Sequence, residues 1–245
     1  MPELKSYPVW DVPTRWFHWI NALCVIGLAA VGLVVLNAGA LGASSAGKIA
    51  LKTIHTWIGY VFVLNFASRI VWGFVGNRYA RWRAVLPGGR GYWRAVRIHA
   101  AALLSGRLQP HLGHNPLGRL AVSVLLLLLA VQAVTGIVLA GTDLFYPPIG
   151  AWIAQWVAAQ GVDPATLVPY APEIYDKAAW EEMRAFRKPF VTLHLYSFYL
   201  LAGLVVLHVA VVVVTEVRQG GGIVSAMFTG RKVLAAAPAD AGERT

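Results

Sequence analysis

The chain has 245 residues, of which 58% are hydrophobic and only 13% are charged. This composition is too apolar for an ordinary soluble domain and indicates a membrane protein. The net charge of +10 would favour nucleic acid as a partner of a soluble protein, but no reading motif is present and no nucleic-acid binding is expected. The single cysteine, Cys24, excludes a disulfide within the chain and a cluster held by several thiolates.

Four apolar stretches are long enough to cross a bilayer, since about 20 apolar residues span its hydrocarbon core as a helix. Each carries few or no charges in its centre. The sequence therefore predicts an all-α membrane protein, built as one four-helix transmembrane bundle over 1–235 with a flexible tail at 236–245. The predicted spans are residues 16–36, 50–75, 118–140 and 190–215.

The segments outside the spans contain further helix signals. Pro13-Thr14 resembles the start of a helix just before the first span. Residues 92–105 are expected to form a basic amphipathic helix on the membrane surface. In the long segment before the last span, residues 149–159 predict another helix, with Trp152 and Trp156 one turn apart as interfacial anchors.

The charges outside the spans predict the orientation of the chain. Residues 77–119 hold eight arginines and no acid, whereas residues 142–188 hold six acids against four bases. Basic loops stay in the cytoplasm, so we expect cytoplasmic N and C termini and a periplasmic insertion at 142–188. This orientation suits the bacterial inner membrane, although Lys48 and Lys52 fall on the side where the rule expects few bases.

Two histidines, His194 and His208, lie fourteen residues apart in one apolar segment, 188–218. In a helix this spacing is about four turns, which places both imidazoles within roughly 40° of one face and about 21 Å apart along the axis. Ionisable side chains inside a membrane are costly and usually functional. The spacing therefore suggests one ligand for each of two cofactors.

The predicted topology gives each of these histidines a partner at its own depth. His18, near the start of the first span, lies at the cytoplasmic level of His208, and His55, near the start of the second, lies at the periplasmic level of His194. The pairs His18–His208 and His55–His194 would give two haem irons two axial imidazoles each. Zinc is the alternative metal, but it prefers four ligands that converge on one point.

Other residues are placed to support such cofactors. Arg69 lies on the face of His55 four turns further on, and Arg15 lies one turn before His18, so both are candidate partners of haem propionates. Gly59, one turn after His55, would leave room for a flat macrocycle, with helix packing as the alternative role. The remaining histidines are expected at the surface or in a docking or quinone-proximal region: His99, His111 and His114.

Several short motifs in all four spans and both cytoplasmic loops resemble one known family. They are VWDVPTRWFHW (9–19), HTWIGYVFVLNFASRIVWGFVGNRYARW (55–82), GHNPLGRL (113–120), QAVTGIVL (132–139), HLYSFYLLAGLVVLHV (194–209) and AMFTGRK (226–232). Their order and spacing are similar to those of the prokaryotic cytochrome b561 superfamily, specifically the cytochrome b subunits of nickel–iron hydrogenase type. Residues 142–188 are the least similar part.

The resemblance implies a four-helix membrane bundle that binds two b-type haems. In that family helices 1, 2 and 4 supply the axial ligands, which correspond here to His18, His55, His194 and His208. It also implies electron transfer between the membrane quinone pool, with quinone or quinol as substrate, and a redox partner at one membrane face.

We therefore expect an electron-transfer subunit of a quinone-linked oxidoreductase, acting as a homodimer or within a larger complex. Its periplasmic partner would be a c-type cytochrome or a hydrogenase-like enzyme subunit. The acidic insertion at 142–188, with Tyr175 and Trp180, is the expected docking surface, unless its acidity reflects orientation alone. Two other classes stay open, a haem-containing structural anchor subunit and a metal or ion transporter with a histidine relay.

Overall fold

The computed structural model describes residues 4–105, 110–219, 222–234 and 238–240, and most of these residues are helical. Two short strands, β1 (Lys5–Pro8) and β2 (Arg231–Leu234), pair antiparallel. The helices in chain order are α1 (Val12–Leu36), α2 (Ser45–Val75), α3 (Trp82–Val85), α4 (Tyr92–Leu104), α5 (Pro116–Leu144), α6 (Gly150–Val157), α7 (Lys177–Gln219) and α8 (Ile223–Thr229).

Helices α1, α2, α5 and α7 are each long and apolar enough to cross a membrane. The mean hydropathy of their most apolar windows lies between 1.6 and 2.6. Large apolar side chains point outward from them, such as Leu64 at 75% and Val206 at 70% exposure, as expected for a surface in contact with lipid. The prediction of four apolar helices is therefore confirmed.

Helix α7 begins at Lys177, well before the predicted span start at residue 190. The carboxylate of Asp176 accepts a hydrogen bond from the backbone N–H of Ala179 (2.8 Å), which caps the first turn. The added turns are rich in charged residues, and Pro189 lies inside the helix. Hydropathy finds only the apolar part of a helix, so the polar extension was not predicted.

The start of α1 is fixed by Asp11 and not by the predicted Pro13-Thr14 signal alone. Its Oδ1 accepts a hydrogen bond from the backbone N–H of Thr14 (3.1 Å), as an N-cap does. Its Oδ2 accepts from the indole of Trp72 (3.0 Å) and from the backbone N–H of Asn77 (3.1 Å). These hydrogen bonds hold the pKa of Asp11 below its ordinary value against the opposing effect of burial, which is the larger single influence. One carboxylate thus ties the beginning of α1 to the end of α2.

The chain divides into two compact units, and each contains one of the predicted histidine pairs. The first unit comprises residues 1–20, 66–127 and 201–245, and the second comprises 21–65 and 128–200. The single domain predicted over 1–235 stays a prediction.

A small hydrophobic core of the first unit lies at the β1–β2 pair. It consists of the buried residues Val9, Tyr79, Leu112 and Leu234. The carboxylate of Asp240 accepts hydrogen bonds from the backbone N–H groups of Leu112 (2.7 Å) and Gly113 (2.9 Å). Most of the tail predicted at 236–245 lies outside the described residues, but 238–240 are held by these contacts.

In the second unit, residues 142–188 form a cap with its own core. Ile153 and Val157 of α6 are fully buried and pack with Met183 of α7. Tyr175 is also buried there, stacked on Trp180 at 4.4 Å between ring centroids, so Tyr175 does not contribute to a docking surface. Of the two predicted interfacial anchors Trp152 is 65% exposed, whereas Trp156 packs against this core.

An ion-pair network joins three elements of the second unit. Asp143 near the end of α5 accepts from Lys52 Nζ of α2 (2.9 Å) and from Arg187 Nη2 of α7 (2.6 Å). Lys52 also lies over the ring of Tyr170 in the cap, at 5.2 Å. Lys52, one of the two lysines that did not fit the orientation rule, is therefore paired with an acid.

Candidate functional site

The second unit brings His55 of α2 and His194 of α7 together. Their ring centroids are 6.4 Å apart and the rings are inclined by 72°. Both side chains are half-buried, and Nδ1 of His55 is buried without a hydrogen-bond partner. A pair of facing imidazoles with an unsatisfied nitrogen has unused capacity to bind a ligand.

The separation of these rings fits a metal ion between them. A metal–nitrogen bond is about 2 Å, and the centre of an imidazole lies about 1 Å beyond its ligating nitrogen, so two axial imidazoles have centroids about 6 Å apart. The observed 6.4 Å matches this value. Among the described residues, no group of three or more His, Cys, Asp or Glu side chains converges on one point, as a tetrahedral zinc site requires.

Thr135 of α5 determines which nitrogen of His194 is available as a ligand. Its Oγ1 lies 2.6 Å from the carbonyl oxygen of Val131 and 2.7 Å from His194 Nδ1. The carbonyl only accepts, so the hydroxyl donates its proton there and accepts a hydrogen bond from Nδ1–H of His194. Nε2 then carries the lone pair, which is the tautomer that an axial ligand needs.

Gln132, one turn before Thr135, holds the backbone at the same place. Its Nε2 donates to the carbonyl oxygen of His194 (2.9 Å) and to Oγ of Ser197 (2.8 Å). Both Gln132 and Thr135 belong to a motif that carries the family resemblance, but neither was predicted as a site residue. Their position beside His194 was the missing information.

Glycines surround the pair. A Cβ atom on Gly32 would lie 3.1 Å from Cε1 of His55, and one on Gly136 would lie 3.7 Å from Cε1 of His194. Sequence reasoning missed both residues. A Cβ on the predicted Gly59 would meet no atom within 4 Å, so open space lies beside this position as a flat macrocycle needs.

The first unit contains the second pair, His18 of α1 and His208 of α7. The two imidazoles are close enough to interact electrostatically. Nδ1 of His18 is buried without a hydrogen-bond partner. Trp19 fixes the same turn of α1, because its Nε1 donates to the carbonyl oxygen of Met227 (3.0 Å) and its ring packs on Phe228.

Both predicted arginines lie in the first unit, and each retains an unused nitrogen. Arg69 is 5% exposed and donates through Nη2 to the carbonyl of Ala80 (2.9 Å), while its Nη1 has no partner. Its guanidinium lies 4.8 Å from the ring centre of Trp82. Arg15 donates through Nη1 to the carbonyl of Phe228, and its buried Nε has no partner. Buried guanidinium nitrogens without acceptors suit a carboxylate such as a haem propionate.

The three remaining histidines lie in the first unit, and His114 is near enough to the predicted ligand His208 to interact with it electrostatically. The rings of His99 and His111 are 5.4 Å apart, and His114 lies 5.0 Å from Trp10. Burial, and after it nearby cations with Lys232 first, lower the pKa of His114 to about 4. His114 is therefore a neutral imidazole at neutral pH.

Apolar membrane helices with two pairs of half-buried histidines, one pair spaced for a metal, match the class of membrane-bound b-type cytochromes. The family comparison agrees with this class. The chain belongs to the prokaryotic cytochrome b561 family, whose model matches residues 9–230. Haem b is the cofactor that this b-type cytochrome family implies.

Several curated relatives share the name "Probable Ni/Fe-hydrogenase B-type cytochrome subunit". The one from Cupriavidus necator is 28% identical over 207 residues, which is 80% of this chain and 80% of the relative. The one from Rhizobium leguminosarum bv. viciae is 24% identical over 244 residues, 95% of this chain and 91% of the relative. A relative from Escherichia coli K12, named as a hydrogenase 1 subunit, is 31% identical but covers 56% of this chain and 61% of its own length. No solved structure matches.

Proposed function

We propose that this chain is a dihaem cytochrome b subunit that carries electrons across the bacterial inner membrane. The observation that carries the proposal is the 6.4 Å separation of the His55 and His194 rings, which would hold a haem iron between them. The proposal assigns a second haem to His18 and His208. Support for it comes from their proximity and from the fourteen-residue spacing of His194 and His208 along α7.

When bound, haem b supplies a one-electron Fe(III)/Fe(II) couple. The chain's own residues would hold and tune it. Thr135 keeps Nε2 of His194 free of a proton, as its hydrogen bonds indicate. Arg69 and Arg15 offer unpaired nitrogens to propionates, and Gly59 offers open space. The apolar helices exclude water and thereby set the potential.

The proposed electron donor and acceptor lie at opposite membrane faces. A quinone would exchange electrons and protons near the cytoplasmic haem, beside the basic 77–119 segment. At the periplasmic face a hydrogenase-like enzyme subunit is the favoured partner, because the relatives are named as Ni/Fe-hydrogenase subunits over most of this chain. A c-type cytochrome is the other candidate partner there.

The proposed docking surface for this partner is the outside of the cap. Glu181 and Glu182 are exposed on α7, and Trp152 is exposed on α6. The buried core of the cap packs α6 against α7 and so holds these side chains in place. Electrostatic complementarity would then steer a basic partner to the surface.

An optical spectrum and a quinol assay test the proposal. The purified protein should show a b-type spectrum with two haems per chain, and added quinol should reduce both. The fully oxidised quinone serves as the control and should reduce neither. Two haems that quinol leaves oxidised would favour a structural anchor subunit, and a protein without haem would favour a transporter and exclude the proposal.

A co-purification experiment tests the partner. The complex with a hydrogenase-like subunit should form with the unchanged chain and should weaken severalfold in the E181Q/E182Q variant at low salt. The matched control is K177Q/R184Q, which removes two positive charges from the same helix instead of two negative ones. Equal behaviour of the two variants would contradict docking on the acidic surface.

A further inference from the structure

The first unit contains a cavity of about 370 Å³ whose lining includes none of the proposed haem ligands or propionate partners. It lies where α2 has ended and α5 begins. The charged side chains of its lining are Arg78, Arg83, Arg90, Arg119 and Asp240, and His111 and His114 line it as well. Residues at the ends of membrane spans lie at the level of lipid headgroups.

The arginines of this cavity keep their charge uncompensated. Arg119 donates to the carbonyl oxygens of Leu86 (3.1 Å) and Arg83 (2.9 Å), and Arg78 stacks on Tyr79, so both have neutral partners. Within the described ranges, no carboxylate forms an ion pair with any of the four cavity arginines. Arg78, Arg83 and Arg90 are exposed, so the cavity presents a solvated positive surface that attracts anions.

The single acid in the wall does not neutralise them. Each carboxylate oxygen of Asp240 is already engaged by a backbone N–H group, that of Leu112 or that of Gly113. Four arginines against one carboxylate leave a net charge of +3 on these five side chains. His114 contributes a buried Nδ1 that has no hydrogen-bond partner.

Exposed apolar side chains lie close in sequence to the lining residues and indicate where the anion comes from. Trp93 is 62% and Ile98 is 60% exposed on α4, and Leu86 is exposed in the loop before it. A tryptophan beside basic residues is typical of the interface between headgroups and acyl chains. A free phosphate would not need this apolar surround, whereas a phospholipid would cover it with its acyl chains.

We propose that this cavity binds the headgroup of an anionic phospholipid, with the arginines around its phosphate and the acyl chains against Trp93 and Leu86. The bound lipid would fix the segment between α2 and α5, including α3 and α4, on the membrane surface. Basic pockets at the ends of membrane helices are suited to such headgroups.

Native mass spectrometry of the haem-loaded protein in detergent tests the proposal. The protein is titrated with phosphatidylglycerol and, separately, with the zwitterionic phosphatidylcholine. R83Q/R90Q removes two cavity charges, and R94Q/R97Q removes two charges from α4 outside the cavity. Each arginine near an anionic headgroup contributes about fivefold, so R83Q/R90Q should bind phosphatidylglycerol about 30-fold more weakly. R94Q/R97Q should bind it nearly as well as the unchanged protein.

Several results would overturn this assignment. Equal weakening in the two double variants would reduce the effect to diffuse surface charge. Equal affinity for phosphatidylcholine, or displacement of the lipid by millimolar inorganic phosphate, would exclude an anionic lipid as the occupant. Competition by a neutral quinone analogue would make the cavity a quinone site. If R83Q/R90Q loses its haem spectrum, R90Q alone replaces it, with about a fivefold loss expected.

Discussion

Replacement of Thr135 by valine should raise the potential of one haem and leave the other unchanged. The hydroxyl accepts a hydrogen bond from Nδ1–H of His194, and this bond would strengthen the electron donation of the imidazole to a bound haem iron. A stronger donor favours the ferric state, so its loss should raise the potential. Valine keeps the β-branched shape of threonine, so the hydrogen-bonding hydroxyl is the group that the substitution removes.

The size of the shift follows from the burial of Thr135, which is 2% exposed and therefore inaccessible to replacement water. A neutral hydrogen bond contributes about 0.5–1.5 kcal/mol net. For a one-electron couple about 1.4 kcal/mol corresponds to about 59 mV. Complete loss of the hydrogen bond would therefore raise the reduction potential by at most roughly 20–60 mV. The expected increase lies within this range.

A spectroelectrochemical titration measures the shift directly, because the two proposed haems would give two resolvable waves. Thr142 supplies the matched control: it lies on the same helix, is 1% exposed and donates to the carbonyl of Val138 (2.9 Å), with no histidine contact among its described bonds. T142V should move neither wave, and T135S should restore the original potential. A decrease in potential, a shift of both waves, or an equal shift in T142V would refute the reasoning.

Three further predictions concern structure. D143N leaves Lys52 and Arg187 without an acid, so the free energy of unfolding of the second unit should fall by about 1–3 kcal/mol in thermal melts. D143E should recover part of this loss, and an unchanged stability of D143N would contradict the network's role. G32V places atoms against His55 and should remove one haem, measured by absorbance, whereas G39A, with open space around it, should retain both. Burial lowers the pKa of Lys232 to about 8. The folded state therefore disfavours the charged amine, so stability should rise by up to about 3 kcal/mol as pH increases from about 8 towards 10.5, and K232M should lack this rise in thermal melts.

The apolar helices and the histidine levels follow from local properties of the sequence. Hydropathy depends on composition over some twenty residues, and the depth of a histidine depends only on its distance from the end of a span. Neither the identification of the apolar helices nor the depth of the histidines changes when a predicted boundary is wrong by a few residues. The sequence alone therefore sufficed to propose which imidazoles face each other.

The contacts that tune the site depend on information that the sequence does not carry. Thr135 resembles any other threonine of an apolar helix until the rotation of α5 against α7 is known. Asp11 was not predicted as the cap of α1, and its second oxygen accepts hydrogen bonds from residues more than sixty positions away. The same limit applies to the cap formed by residues 142–188. Its acidity is visible in the sequence, whereas the burial of Tyr175 depends on how α6 packs against α7.

The haem content of four single variants tests the central claim most directly. Haem is counted per chain, and the surviving haem is identified by its potential, in H18A, H208A, H55A and H194A. The account predicts that H55A and H194A lose the same haem, that H18A and H208A lose the other, and that each retains one. Loss of different haems by H55A and H194A, whose rings lie 6.4 Å apart, would contradict it.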